Sequence, residues 1–257
     1  MSANEPGTTV LTVADGVARI SWTPDETLDA VRHEVAAALM THHRVEALVD
    51  PSDEKGQRTA TWSGLRREGV MRGITVAGEP VDRIVYARVV TDVPAHEPEG
   101  FRALLNSFLP RKRAIGQFLI RDAQDRVLLC QLTYKPDWDL PGGVIEVGES
   151  PALGVSREVQ EELALDLKAG PLLLTDWLPP WSGWDDAVCL VFDGGVHDPS
   201  MVDAMVPEAR EIRSVAFCTL EEVRERCADF TARRVEAALA SAHGSGVTYT
   251  ESGRPVV

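Results

Sequence analysis

The spacing of hydrophobic residues over the first hundred residues predicts alternating strands and helices. Apolar side chains recur at helical spacing between Asp25 and Met40, so we expect an amphipathic helix there. The proline, serine and aspartate at 51–53 are typical of a helix start, and a second helix is expected from there to about Thr61. Strands are predicted at 10–22 with a turn near Gly16, at 44–49, and at 66–90 with a turn at 77–80.

The rest of the chain shows the same mixture of patterns. A short helix is predicted at 100–109, and a long helical segment, broken near Asp229, at 220–240. Strands are predicted at 114–120, 127–132, 172–177, 187–192 and 212–217. The tail carries a turn pattern at 251–253, with short strands expected on either side.

The stretch from Leu140 to Leu165 reads LPGGVIEVGESPALGVSREVQEELAL and predicts a glycine turn followed by a helix. Ser150 is a suitable N-cap, and Pro151 suits the first helical position. The expected buried stripe of this helix consists of Ala152, Val155, Val159 and Leu163. The glycines at 142 and 143 allow the backbone to come close to a ligand.

The predicted helix carries three carboxylates in one sector. Glu158 and Glu162 are four residues apart and therefore lie on one face, with Glu161 beside them. Mg²⁺ prefers oxygen ligands and completes its shell with water and substrate phosphates, so this sector suits a hard divalent cation. A solvated acidic helix face is the alternative for glutamates at this spacing.

The same stretch resembles the Nudix box, G-x5-E-x7-R-E-U-x-E-E-x-G-U, in which U is a bulky aliphatic residue. The positions in register are Gly143, Glu149, Arg157, Glu158, Val159, Glu161, Glu162 and Leu165. So many coincidences at fixed positions are not expected by chance. Ala164 stands where the family has glycine, near a helix end that often needs left-handed backbone, so the departure concerns helix termination rather than chemistry.

This resemblance implies an α/β/α sandwich with a mixed sheet, and hydrolysis of a nucleoside diphosphate linked to another moiety. It implies Mg²⁺, with Mn²⁺ as an alternative, held by Glu158, Glu161, Glu162 and the backbone carbonyl near Gly142 or Gly143. By the same resemblance, Glu149 would orient or assist the other catalytic groups, and Arg157 would hold a box glutamate by a charged hydrogen bond. The implied catalytic set is Glu149, Arg157, Glu158, Glu161, Glu162 and an acid from a later loop, either Glu208 or Glu211, of which we select Glu211.

Aromatic residues near the box are candidates to stack on a nucleobase. Trp138 lies on one approach to the box, and Trp181 and Trp184 lie on a later loop. Packing is the alternative for each of them. Together with Gly142 and Gly143, Trp138 and Trp181 form the predicted substrate-binding set. Oxidised nucleotides, nucleotide sugars and dinucleotides all remain open as substrates.

The chain reads VEALVDPSDEKGQRTATWSGLRREGVMRG and then GEPVDRIVYARVV within residues 43–91. This segment resembles the C-terminal half of GNAT acetyltransferases. That family binds the pyrophosphate of acetyl-CoA with a glycine-rich turn at a helix N-terminus. The corresponding stretch here, 21–27, reads SWTPDET and has no glycine. We therefore expect a truncated domain that has lost cofactor binding and serves as a scaffold or as a homodimer surface. The expected domains are a GNAT-like domain at 1–94, a linker and short helix at 95–110, a Nudix domain at 111–243 and a tail at 244–257.

Composition and charge limit the classes of partner that the chain can bind. The chain has 257 residues, 44% hydrophobic and 26% charged, as in a soluble globular protein, and its formal net charge is −14. Such a charge argues against a nucleic-acid backbone or an anionic membrane as partner. The four cysteines form no zinc-binding spacing, and the N-terminus lacks an apolar signal core, so buried thiols in a cytoplasmic protein are expected.

Three functions are consistent with these patterns. A metal-dependent Nudix hydrolase is favoured, because every box glutamate is present. A non-catalytic Nudix domain that senses a nucleotide is the second. Acetyl transfer by the N-terminal domain is the third, and the missing glycine turn argues against it.

Overall fold

A computed structural model describes residues 7–256 and divides the chain into two compact units, one ending at Pro110 and the other beginning at Arg111. The first unit has a five-stranded sheet with the order β1-β2-β3-β5-β4. Its strands are β1 Thr8–Ala14, β2 Val17–Trp22, β3 Arg44–Val49, β4 Arg66–Val76 and β5 Glu79–Val89. Its helices are α1 Leu28–Ala38, α2 Glu54–Trp62 and α3 Pro98–Phe108.

The sheet of the first unit is mixed, because β2 and β3 pair in parallel and its other neighbouring strands pair antiparallel. Its core contains Val31 and Val35 of α1, as the helical spacing predicts. Helix α1 begins later than the pattern suggests: it starts at Leu28 instead of Asp25, because the Thr27 side chain caps the backbone N–H of Ala30.

The second unit has a nine-stranded mixed sheet. The main order is β12-β7-β6-β11-β10-β13-β14, with β8 beside β7 and β9 beside β6. The strands are β6 Arg113–Arg121, β7 Val127–Leu132, β8 Trp138–Asp139, β9 Gly142–Val144, β10 Leu172–Leu178, β11 Ala187–Val196, β12 Ile212–Cys218, β13 Thr248–Glu251 and β14 Arg254–Pro255. The helices are α4 Pro151–Leu163, α5 Leu220–Arg226 and α6 Asp229–Ala240, with a 3-10 helix at Pro199–Ala204 and a π-helical turn at Ser241–Ser245.

Helices pack on both faces of this sheet. Phe118 and Ile120 of β6 belong to a core with Val155 and Val159 of α4. Leu119 lies between them in sequence and therefore points to the other face, where it belongs to a core with residues of α5 and α6. This is the layering expected of an α/β/α sandwich with a mixed sheet.

The predicted helices and strands of this unit are present, with three differences. Ala152 was expected in the buried stripe of α4, but it is exposed, and the stripe begins at Val155. The segment containing β9 was expected as a glycine turn, but it pairs with the sheet, as does β8 just before it. The 3-10 helix after β11 was not predicted. The expected break near Asp229 separates α5 from α6.

The C-terminal residues are part of the second unit's sheet. Strand β13 pairs in parallel with β10, and β14 pairs with β13 around a turn at Ser252 and Gly253. All four cysteines are buried and free, as expected. Within the described residues, no helix is both long and apolar enough to cross a membrane.

Candidate active site

Strand β9 holds the two box glycines against the sheet. Gly142 pairs with Gln117 and Gly143 with Gly116, both on β6. Gly142 has φ 130°, and a Cβ there would collide with the Gly116 carbonyl. A Cβ on Gly143 would collide with the carboxylate of Glu158. Gly142 therefore needs glycine for its backbone conformation, and the missing side chain of Gly143 lets the Glu158 carboxylate approach closely.

Arg157 binds three carboxylates at once. Its Nε donates to Glu149 at 2.9 Å, its Nη1 donates to Glu161 at 2.9 Å, and its Nη2 lies 3.0 Å from Glu158 Oε1. The hydrogen bonds that Arg157 donates to Glu149 lower the pKa of Glu149 below its ordinary value and raise the pKa of Arg157. A single guanidinium thus orients the acids of α4 and of the loop before it.

Glu162 is in a different environment from the other box glutamates. It is only 7% exposed, and its Oε2 accepts a hydrogen bond from the Gly142 N–H at 3.1 Å. Burial, with the negative charges of Glu158 and Glu211, raises the pKa of Glu162 to about 8, although the Gly142 hydrogen bond opposes this shift. Burial also raises the pKa of Glu158, and the hydrogen bond and positive charge of Arg157 offset only part of this rise.

The loop before β12 brings the predicted later acids towards α4. The Glu208 N–H donates to the carbonyl of Glu162 at 2.8 Å, which anchors this loop at the end of the helix. The Glu208 carboxylate binds Arg210 at 3.1 Å. Glu211 is exposed, and its charge raises the pKa values of Glu158 and Glu162, so it acts on the same cluster.

Helix α4 ends in a left-handed residue at the position where the box has glycine. Ala164 is the C-cap, with φ 56° and ψ 32°, and its N–H donates to the carbonyl of Gln160. The backbone therefore keeps the conformation that glycine would adopt most easily, and alanine adopts it at some cost.

The carboxylates do not form a ready-made metal cage. Among the described residues, no group of three or more His, Cys, Asp or Glu side chains has a metal-binding arrangement. Glu158 and Glu162 both lie at the glycine turn, whereas the Glu161 side chain is 62% exposed and paired with Arg157. The hard oxygen donors closest to the turn are therefore those of Glu158 and Glu162.

A cavity of about 430 Å³ adjoins the glycine turn. Its aromatic walls are Tyr134, Trp181, Trp184 and Phe230, and both box glycines line it. Trp181 packs edge-on against Phe230 with ring centroids 5.9 Å apart. The Arg113 guanidinium lies 4.5 Å from the centre of the Trp184 ring.

Trp138, predicted to bind substrate, does not line this cavity. It packs against the core between the sheet and α6, and the Arg226 guanidinium lies 4.9 Å from the centre of its ring. Strand β8 turns the Trp138 side chain towards the core, so the structure does not bring it to this cavity, and a role for Trp138 in substrate binding stays a prediction. Trp181, Gly142 and Gly143 do line the cavity.

One polar group in this cavity was missed by the sequence analysis. Arg234 of α6 lines the cavity and is 2% exposed, and it binds Asp176 and Gln117 through Nε and Nη1. One signal in the sequence could have indicated this residue. Arg234 is a charged residue on the apolar side of α6, where Thr231, Val235 and Ala238 are buried.

Comparisons with known proteins identify the family of the chain. The profile of the NUDIX domain matches residues 110–239, and the chain therefore belongs to the NUDIX family. Its enzyme class is that of a Nudix pyrophosphohydrolase. The match leaves out residues 1–109, so the GNAT-like half-domain stays a prediction.

Three proteins are similar to parts of the chain. A MutT-like protein of Streptomyces ambofaciens is 34% identical over 118 residues, which are 44% of this chain and 68% of that protein. Human diphosphoinositol polyphosphate phosphohydrolase 3-alpha is 37% identical over 79 residues; the match spans 30% of this chain and only 43% of that enzyme. The crystal structure of a MutT protein from Methanosarcina mazei Go1 has a TM-score of 0.44 and 21% identity, and covers 55% of this chain and 99% of that one.

Proposed function

We propose that this protein is a divalent-cation-dependent hydrolase that cleaves the pyrophosphate of a nucleoside diphosphate linked to another moiety. The observation that carries the proposal is the position of the two box glycines between the glutamates and the cavity. Gly142 and Gly143 contact Glu162 and Glu158 on one side and line the aromatic cavity on the other. A base in the cavity would thus place its phosphates near the glutamates.

The electrostatics of the glutamates support a cation at this position. The ionised form of Glu162 is disfavoured, because the side chain is buried and Glu158 and Glu211 add negative charge. A divalent cation would offset that charge, and its oxygen preference matches the donors present. We assign Mg²⁺, with Mn²⁺ as the alternative, to Glu158, Glu161, Glu162 and the Gly142 carbonyl. When bound, such a cation neutralises a pyrophosphate and acidifies water.

The remaining residues position these groups. Arg157 holds Glu149, Glu158 and Glu161 in fixed orientations. Glu149 fixes the arginine in return, because it accepts from both Nε and Nη2. Glu211 is exposed and close enough for its charge to act on Glu162, and we assign it as the acceptor of the proton from the attacking water.

The cavity favours a nucleotide over a more highly charged ligand. Apolar and aromatic side chains dominate its wall, and aromatic rings stack well on planar bases. A polyphosphorylated inositol would have little apolar surface to bury there.

For the first unit we propose a structural role, with a homodimer formed through this unit. Two strands lie at the edges of its sheet, β1 and β4, and both expose large apolar residues. These are Leu11, Val13, Val70, Met71 and Val76. Exposed apolar residues on unpaired edge strands are typical of a surface that another chain covers.

The test is hydrolysis of a substrate panel by the full chain. Nucleotide sugars, dinucleotides and oxidised nucleoside triphosphates are incubated with titrated Mg²⁺ or Mn²⁺, and release of monophosphate or pyrophosphate is measured. We expect metal-dependent turnover of at least one class. Binding of nucleotides without any turnover would overturn the proposal in favour of a sensing domain.

Glu162→Gln is the matched variant for this assay. It keeps the side-chain volume but removes one charge, and losses of preorganised charge typically cost ~100-fold or more in rate. Asp53→Asn serves as control, because Asp53 caps α2 in the other unit and asparagine caps equally well. Wild-type turnover and metal dependence in Glu162→Gln would show that the assignment to this helix is wrong.

A further inference from the structure

The buried guanidinium of Arg234 has one nitrogen without a hydrogen-bond partner within residues 7–256. Nε donates to Asp176 Oδ2 at 2.9 Å, and Nη1 donates to Gln117 Oε1 at 3.1 Å. Nη2 is buried and has no hydrogen-bond partner among the described residues. A buried charged donor without a partner costs free energy, and such groups usually have a functional explanation.

Neighbouring residues fix the orientation of this arginine. Asp176 is itself buried and accepts hydrogen bonds from Thr250 Oγ1 and from the Gly253 N–H on its other oxygen. The amide of Gln117 is oriented by Asp139, which accepts from its Nε2 at 2.9 Å, so its oxygen faces Arg234. Arg234 lines the cavity, and because Nε and Nη1 are both occupied, Nη2 is the guanidinium nitrogen left without a partner among the described residues.

The surroundings of Arg234 suit a flat ring with acceptors on its edge. Phe230 lies beneath the guanidinium, 5.7 Å from ring centre to Cζ, and Trp181 packs against Phe230. Arg113 lines the same cavity, and its Nε is also buried and has no hydrogen-bond partner in the part of the chain that the structure describes. The cavity therefore combines aromatic walls with hydrogen-bond donors that lack acceptors.

We propose that Arg234 is a specificity-determining residue that donates from Nη2 to a keto oxygen of the substrate's nucleobase. The proposal rests on the proposed function for its choice of a nucleotide as ligand. An amino group at the same place on the base would point its own hydrogens at the guanidinium and leave Nη2 unpaired. Sites built to hydrogen-bond one group reject analogues that lack it. The cavity accordingly prefers keto bases to their amino counterparts.

Two pairs of nucleoside monophosphates test this preference directly. Inosine and adenosine monophosphates differ in the keto or amino group at C6, and uridine and cytidine monophosphates differ in the same way at C4. Binding is measured by calorimetry with the full chain in a chelator, so that neither metal nor turnover contributes. We expect the keto member of at least one pair to bind about 10-fold more tightly or better, as for a hydrogen bond to a charged donor.

Arg234→Lys provides the matched variant. Lysine keeps a positive charge beside Asp176 but removes the guanidinium fork, so the keto preference should fall to near unity. Arg224→Lys is the control, because Arg224 pairs with Glu236 on the surface and does not line the cavity. Ribose 5-phosphate serves as a ligand without a base, and its binding should be the same in both variants and in the wild type.

Several results would overturn the proposal. Equal affinities within both pairs, or an unchanged preference in a folded Arg234→Lys variant, would exclude a role for Arg234 in reading the base. Weaker binding of ribose 5-phosphate in that variant would assign Arg234 to a phosphate instead. No measurable binding of any of the four nucleotides would also overturn it. If Arg234→Lys does not fold, Arg113→Lys takes its place: a keto preference that survives in this variant supports Arg234, and one that is lost assigns the keto oxygen to Arg113 and overturns the proposal. The absence of turnover on the substrate panel would not affect either result.

Discussion

At the scale of single residues, Glu162 carries its carboxylate in a place that disfavours a negative charge. Its pKa is raised from 4.5 to about 8 in the folded protein, mainly by burial. The folded state therefore binds this proton more tightly than the unfolded state. Stability from this group is present in full below pH 4.5 and is lost as the pH rises towards 8.

This shift predicts a pH-dependent difference between the wild type and Glu162→Gln. Without metal, the variant should become progressively more stable than the wild type between pH 5 and pH 8, by a few kcal/mol at about pH 8. Urea unfolding in a chelator across this range measures it. Mg²⁺ should stabilise the wild type at the upper end and have little effect on the variant. Parallel pH profiles of the two proteins would contradict the prediction.

Arg157 contributes by position rather than by charge alone. Arg157→Ala removes the common partner of Glu149, Glu158 and Glu161, so those carboxylates repel one another without a fixed geometry. We expect turnover to fall ~10–100-fold, as for other groups that orient metal ligands, with part of the Mg²⁺-dependent stabilisation retained. Steady-state kinetics and thermal melts with titrated Mg²⁺ measure both effects.

Arg157→Lys distinguishes position from charge in this prediction. Lysine keeps the positive charge but cannot bind three carboxylates in a planar arrangement. Its turnover should therefore lie closer to that of Arg157→Ala than to the wild type. If lysine restored full activity, the arginine would act only through its charge.

At the scale of elements, helix α4 is stabilised at its start and strained at its end. Ser150 caps the first turn by accepting from the Leu153 N–H, whereas Ala164 adopts a left-handed conformation that penalises its Cβ. Ala164→Gly removes this penalty and should stabilise the protein by about 0.5–1 kcal/mol. Chemical denaturation measures the change.

Ala152→Gly is the control for this element. Ala152 is exposed and lies in the first turn of the same helix, where glycine has only its entropic cost. That variant should be destabilised by about 0.5–1 kcal/mol. Opposite signs for the two substitutions are the expected result, and equal signs would mean that the left-handed conformation of Ala164 does not govern its stability.

At the scale of the whole molecule, the first unit is expected to lack cofactor binding. The stretch 21–27, directly before α1, contains no glycine and therefore no glycine-rich turn that could approach a pyrophosphate; Thr27 caps the helix in its place. Calorimetry with acetyl-CoA at micromolar concentrations should show no binding by the full chain. Sedimentation should show a dimer, and a monomer would count against the proposed role of the exposed edge strands.

Much of the fold could be predicted because local patterns determine it. Strand runs such as 127–132 and the helix from Pro151 follow from hydrophobic spacing and capping residues close in sequence. The box spacing similarly predicted that Glu158 and Glu162 share a face of one helix, since helical geometry alone requires it. Family membership followed from the same spacing.

Contacts between distant residues decided the rest. Helical spacing states which glutamates share a face, but burial of Glu162 depends on the N–H of Gly142 and on the loop at Glu208, each provided by another segment. The sequence also could not tell which of Trp138 and Trp181 lies at the cavity. Strand pairing decides this, because it turns Trp138 towards the core and leaves Trp181 at the cavity. Arg234 donates a hydrogen bond to Gln117, which lies 117 residues earlier in the sequence, and no local pattern can predict such a contact.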